Sequence, residues 1–110
     1  MSISKTFSSC KKFNLAGCFK LAGNLSLIAF PVLEEFEGIR MDSVTSITLP
    51  ISNSLKKISY PKNMTAWTMD NKPNITSITF EGTSALTTIS VTNSSAYAAQ
   101  QAINILSNLV

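Results

Sequence analysis

Histidine is absent from the 110 residues, and arginine occurs once, as Arg40. Without histidine there is no Ser–His or Cys–His pair to activate a nucleophile. With only Cys10 and Cys18 beside that absence, the usual zinc ligand sets cannot be assembled. The four glycines form no phosphate-cradling motif. Charged residues make up 14%, well under the roughly one quarter usual in soluble domains. A net charge of +3 carried by scattered lysines, with one arginine, is not the basic patch with interleaved aromatics that nucleic acid requires. No apolar run is long enough to span a membrane, since Pro31 interrupts the stretch from Leu25 to Leu33. The lysine-bearing N-terminal stretch is unlike a standard signal peptide. The two cysteines form no disulfide framework and read as small core hydrophobes. Their pairing stays open, because sequence does not fix the geometry a bridge needs.

What the chain does have is a repeat. An apolar residue is followed three positions later by a second and two positions after that by a third. The pattern occurs at Leu25–Ile28–Phe30, Val44–Ile47–Leu49, Leu55–Ile58–Tyr60, Met64–Trp67–Met69, Ile75–Ile78–Phe80 and Leu86–Ile89–Val91. The last four steps between starts are 11, 9, 11 and 11 residues. Short apolar strands at near-regular spacing are the mark of a solenoid. The final three positions of each unit alternate apolar, polar, apolar, as a half-buried strand does. Pro31, Pro50 and Pro61 each follow a third apolar position, where proline ends a strand without removing a donor from its middle. Connections such as Ser52-Asn53-Ser54 and Asn71-Lys72-Pro73-Asn74 leave no room for crossover helices. Two such units make one coil of roughly 20 to 23 residues, within the leucine-rich-repeat range. The unit at Leu33 is weaker, because Gly38 stands where the third apolar residue should be.

The ends differ from the middle. Residues 1–24 read as an irregular N-terminal cap or degenerate repeat, in which Cys10–Phe13–Leu15 keeps the spacing. Residues 25–92 read as the solenoid. In residues 93–110, Ser94 and Ser95 are helix N-cap candidates, and the chain then runs without glycine or proline. Ala99, Ala102, Ile103, Leu106, Leu109 and Val110 recur at helical spacing. This predicts an amphipathic helix laid over the open end of the solenoid, where an uncovered sheet edge is a liability. The expected fold is mainly β: a leucine-rich-repeat-like solenoid of short parallel strands with a C-terminal capping α-helix.

Val44-Thr-Ser-Ile-Thr-Leu-Pro50, Leu55-Lys-Lys-Ile-Ser-Tyr-Pro61 and Ile75-Thr-Ser-Ile-Thr-Phe80 resemble the strands of BspA-type leucine-rich repeats. The resemblance covers roughly residues 25–92. It implies recognition without catalysis, as in bacterial surface proteins and in proteins of phages. The terminal helix is also similar to helices that follow such repeats in phage structural proteins.

Function is then expected in the outward positions. If alternate units share a side, Thr48, Thr68 and Ser90 form one column, and Ser59 and Thr79 form another, with Lys57 beside it. These six are the candidate binding face, with no catalytic, cofactor-binding or metal-ligating residue and no cofactor. The expected partner is a protein or a cell-surface glycan, with self-assembly as an alternative and neither nucleic acid nor a membrane span involved. The expected location is the cell surface, the extracellular space or a virion. A virion tail or fibre component is the second reading. An ice-binding solenoid is a remote third, since Lys57 and Ala66 interrupt the hydroxyl columns. Trp67 and Tyr60 would suit an interface, but their places in the motif predict burial. The Asn-x-Ser/Thr sites at Asn24, Asn63, Asn74 and Asn93 are read as a product of composition.

Overall fold

The computed structural model describes residues 6–108. Eight short strands and one helix follow in order: β1 (Lys12–Asn14), β2 (Ala22–Ser26), β3 (Glu35–Glu37), β4 (Ser43–Thr48), β5 (Lys57–Tyr60), β6 (Ala66–Asp70), β7 (Ser77–Phe80), β8 (Thr88–Thr92) and α1 (Ala96–Asn108). Every strand pair is parallel. Odd strands form one continuous sheet, β1-β3-β5-β7. Even strands form two separate pairs, β2-β4 and β6-β8. The chain is therefore a β-solenoid of short parallel strands with a single C-terminal helix. Along the continuous sheet, Lys12 pairs with Glu35, Glu35 with Lys57 and Lys57 with Ser77, giving coils of 23, 22 and 20 residues.

Each coil is tied to the next just before its strand begins. The N–H groups of Glu34 and Glu35 donate to the Lys11 carbonyl, those of Lys56 and Lys57 to Glu34, and those of Thr76 and Ser77 to Lys56. On the other side Thr65 donates to the Thr45 carbonyl, and Thr87 and Thr88 to Thr65. Asparagine side chains stitch the corners. Asn63 Nδ2 donates to the Asp42 carbonyl at 2.8 Å and Asn74 Nδ2 to the Asn53 carbonyl at 3.0 Å. Two of the glycosylation-type asparagines thus have structural partners through the nitrogen that a glycan would occupy.

Inward positions stack by register. Phe13, Phe36, Ile58 and Ile78 form one column, and Trp67 with Ile89 and Met69 with Val91 form others. Tyr60 and Trp67 are fully buried, as their motif positions predict. Trp67 Nε1 donates to the Tyr60 hydroxyl at 3.1 Å, so both polar tips are satisfied inside the core. Phe80 stacks on Tyr60 and meets the indole edge-on. At the weak unit, the place of the missing third apolar residue is filled from elsewhere. A Cβ on Gly38 would lie 2.7 Å from both Met41 Cε and Phe36 Cε2 and 3.1 Å from the Ser59 carbonyl oxygen. Gly38→Ala should therefore cost about 1–3 kcal/mol through overpacking. A lowered urea midpoint is the expected reading, and an unchanged one would mean that Met41 and Phe36 re-seat freely.

Two expectations require correction. The unit Leu25–Ile28–Phe30 is out of phase, since Ile28 is 59% exposed and Leu27 is buried. A register shift between Gly23 and Asn24 sets Leu25 opposite Ile47. The Leu27 N–H then bonds the Thr48 carbonyl, which continues the pairing past the end of β2. Gly23 has a positive φ of 73°, which glycine adopts without strain. β1 and the start of β2 lie within residues 1–24, the stretch read as an irregular cap or degenerate repeat.

The helix is also rolled about one residue from the expected stripe. Ala98 and Ile105 are buried, while Ile103 and Leu106 are more than half exposed and Ala99 is exposed. Ala102 is half-buried against the core, as expected. Leu109 and Val110 lie outside the described residues. Polar anchoring at the helix start sets the roll. Ser95 Oγ accepts from the Ala98 N–H as N-cap and donates to the Ile75 carbonyl at 2.7 Å. The Tyr97 hydroxyl accepts from the Ile78 N–H at 3.0 Å and lies 3.3 Å from the Ile78 carbonyl, to which it donates. Tyr97 thus supplies the open edge of β7 with the partner that a further strand would have given.

Candidate functional site

The six candidate residues fall on two different sides of the coil. Lys57, Ser59 and Thr79 belong to the continuous sheet, while Thr48, Thr68 and Ser90 lie on the even strands. Ser59 pairs with Thr79 and with Glu37. Enclosed between them it is only 8% exposed, so it offers little to a partner. Lys57 is exposed, with Glu35 and Ser77 as its register neighbours. This side is a charged lattice: Lys12 meets Glu35 at 3.2 Å and Lys56 meets Glu34 at 3.5 Å. Both are exposed pairs, worth about 1 kcal/mol or less.

On the other side Thr68 and Ser90 are register partners, and Asn24 gathers Ser46 and Thr48, accepting from both hydroxyls at 2.8 and 3.2 Å. Thr48 and Thr68 are not paired, because no ladder joins β4 to β6. A single column of Thr48, Thr68 and Ser90 is therefore interrupted. In its place a cleft of about 550 Å³ opens between the strands. Ile47, Leu49, Pro50, Ile51 and Ala66 supply its apolar lining. Asn24, Ser46, Thr48, Thr68, Asp70, Asn71 and Lys72 supply its polar lining. The Thr65–Thr45 bond closes one end.

Two features coincide with this opening. The step from Leu55 to Met64 is the single step of nine among steps of 11, so the β5–β6 connection is two residues short. The core beneath β6 also holds the bulky Trp67 where β4 has Ile47 and β8 has Ile89. Backbone alternation then shows which groups line the gap. The Thr48 carbonyl bonds Leu27 and the Thr45 carbonyl bonds Thr65, so the backbone groups of Ile47 and Leu49 face β6. The Thr65 carbonyl and the Asn71 N–H bond the β8 side, so those of Thr68 and Asp70 face β4.

Lys72 lines this cleft and is 3% exposed. Its Nζ donates to the Asp70 carbonyl at 2.8 Å. Burial pushes its pKa below the usual lysine value, with the nearby Asp70 charge partly opposing the shift. The Asp70 carboxylate is turned to the next coil. It accepts from the Thr92 hydroxyl at 2.6 Å and from Asn93 at 3.4 Å, and the Thr92 bond is the main cause holding it below the ordinary carboxylate range.

These groups predict an alkaline stability profile. Burial raises the Tyr60 phenol well above its ordinary value, with the Trp67 donor opposing. Above about pH 10 the unfolded chain releases the phenol proton and the folded chain keeps it, so stability falls as pH rises. Lys72 acts in the opposite direction. Folded chains release its proton first, so the unfolded state binds more protons as pH approaches 10.5 and stability rises there. Urea midpoints across pH 8–12 should rise and then fall, with Lys72→Met removing the rise and Tyr60→Phe the fall. A fall unchanged in Tyr60→Phe would disprove this assignment.

No single residue motif reveals the cleft. The step of nine coincides with it but also adjoins the fully paired β6–β8 step, so it does not by itself locate the cleft. No family model, curated protein or solved structure matches the chain.

Proposed function

We propose that the chain is a non-enzymatic recognition module of the BspA-like, leucine-rich-repeat-like kind, contacting a protein or a cell-surface glycan outside the cell or on a virion. The observation that carries this reading is the cleft between β4 and β6. It joins an apolar floor to convergent polar groups, and its volume falls in the roughly 300–1,000 Å³ range of ligand pockets. The solenoid supports that role by holding the lining on paired strands. Immobilised protein should bind a ligand saturably from arrays of cell-surface glycans and extended peptides, and Thr68→Arg at the cleft rim should weaken it. Absence of saturable binding on both arrays would sink the proposal.

Exposed apolar surface favours a second reading, a structural part of a virion tail or fibre. Ile51 is 87% exposed, and Ile103 and Leu106 stand out from α1. Such surface suits a larger assembly. Size-exclusion chromatography with light scattering separates the two, and a clean monomer at high concentration counts against assembly.

A further inference from the structure

The cleft itself indicates what kind of ligand it takes, an inference that rests on the recognition reading above. We infer that it binds an extended peptide segment bearing a carboxylate, which lies along the open strand edges and sets its acid against Lys72.

The first ground is the pair of edges. Ile47 and Leu49 on one wall and Thr68 and Asp70 on the other direct main-chain groups into the gap, and no ladder joins those walls. A strand edge presents donors and acceptors at a repeat that another extended peptide matches. A sugar ring does not match that repeat, and no aromatic side chain lines the cleft as a stacking platform. The closed end at Thr45–Thr65 makes the gap a wedge, so the peptide enters from the side of Pro50 and Asp70.

The second ground is charge. Lys72 is almost wholly removed from solvent in the lining, and among the described residues its ammonium, which carries three donors, makes one hydrogen bond, to the Asp70 carbonyl. Burying a charge without a full partner is costly. Asp70 fills that role only in part: its charge favours the ammonium, but its carboxylate is hydrogen-bonded to Thr92 and Asn93 on the next coil. A ligand carboxylate would complete the lysine and reverse the downward push on its pKa. The apolar floor of Ile47, Leu49 and Ala66 suits the small or β-branched side chains of an extended segment.

The test uses fluorescein-labelled heptapeptides of alternating Thr and Val, with one Glu stepped through each position, read by anisotropy against the full chain. At least one Glu position should bind saturably at one peptide per chain. Its Gln counterpart should bind about tenfold more weakly, the loss expected for a charge-assisted hydrogen bond. N-methylation of alternate amides in the best peptide should abolish binding, since it removes the ladder donors. Lys72→Met should bind the Glu and Gln peptides equally, and Thr68→Arg should block both. If Lys72→Met does not fold, the Glu–Gln and N-methyl comparisons on the unaltered protein still decide. Equal binding of Glu and Gln peptides to that protein, or binding indifferent to N-methylation, overturns the inference. Glycan binding without peptide binding overturns it while leaving the recognition reading in place. Binding of neither overturns both.

Discussion

Trp67→Ala should remove about 3–5 kcal/mol of stability, the largest loss expected for any single side chain here. The indole is fully buried, packs edge-on against Phe80 and Tyr60, and donates to the Tyr60 hydroxyl. Truncation empties a large, fully buried site and also strips a buried hydroxyl of its donor, and the two costs add. Domains of this size hold only about 5–15 kcal/mol in all, so the variant should lose much of its cooperative transition. Urea denaturation followed by far-UV circular dichroism reads it. Trp67→Phe separates the terms, because it keeps most of the volume and loses the bond. A variant Trp67→Ala with an unchanged midpoint would mean that the cluster around Tyr60 does not hold β6 in place.

Removing α1, by ending the chain after Asn93, should be nearly as severe. The helix covers the last coil with Ala98, Ile105 and the Tyr97 ring. It also occupies the main-chain groups of Ile78 through the Tyr97 hydroxyl and the Ile75 carbonyl through Ser95. Without it, β7 and β8 present an open parallel edge above an uncovered core, which is a template for another chain. The truncated protein should elute as polydisperse species larger than the full chain, by size-exclusion chromatography with light scattering. Tyr97→Phe is the finer test. It keeps the ring and frees both Ile78 groups, and should cost about 1–3 kcal/mol as an unsatisfied pair. A truncated chain that runs at the full chain's oligomeric state and melts at its temperature would show the helix to be an appendage.

The solenoid was legible because its signal is redundant. Five units keep one spacing in phase, and the irregular units at Leu25 and Leu33 do not hide the period. Phase within a unit is less redundant, and it failed where local chemistry intervened. At Leu25 the run Leu25-Ser-Leu27-Ile28 supports two alternations, and only the shift at Gly23–Asn24 selects the one that buries Leu27. In α1 the hydrophobic count favoured a stripe through Ala99 and Ile103. The actual roll is set by two hydroxyls, on Ser95 and Tyr97, that seek backbone partners on β7 and in the connection just before it. Hydropathy carries no information about such bonds.

The candidate site was less legible than the fold, for a related reason. Columns of Thr48, Thr68 and Ser90 assume that neighbouring coils always pair. The break between β4 and β6 coincides with a two-residue difference in a corner and with the bulk of one indole, yet β6 pairs with β8 in full register beside the same two features, so neither alone predicts it. Lys72 shows the same limit. It sits in a turn-rich stretch where a lysine reads as solvated, yet the coil folds its side chain against the Asp70 carbonyl.

The broken side of the solenoid also bears on how the molecule opens. Solenoids resemble a row of coupled units in which each coil answers chiefly to its neighbours. Coupling across the seam between β4 and β6 falls to the β3-β5-β7 ladder, the core and the corner bonds, because one of the two ladders is missing there. Amide hydrogen exchange should therefore resolve two cooperative blocks that meet at this seam, with Ala66, Thr68 and Asp70 exchanging well before Trp67 and Met69 on the same strand. A ligand strand laid into the gap would fuse the blocks, so occupancy of one small cleft would be felt as rigidity along the whole rod.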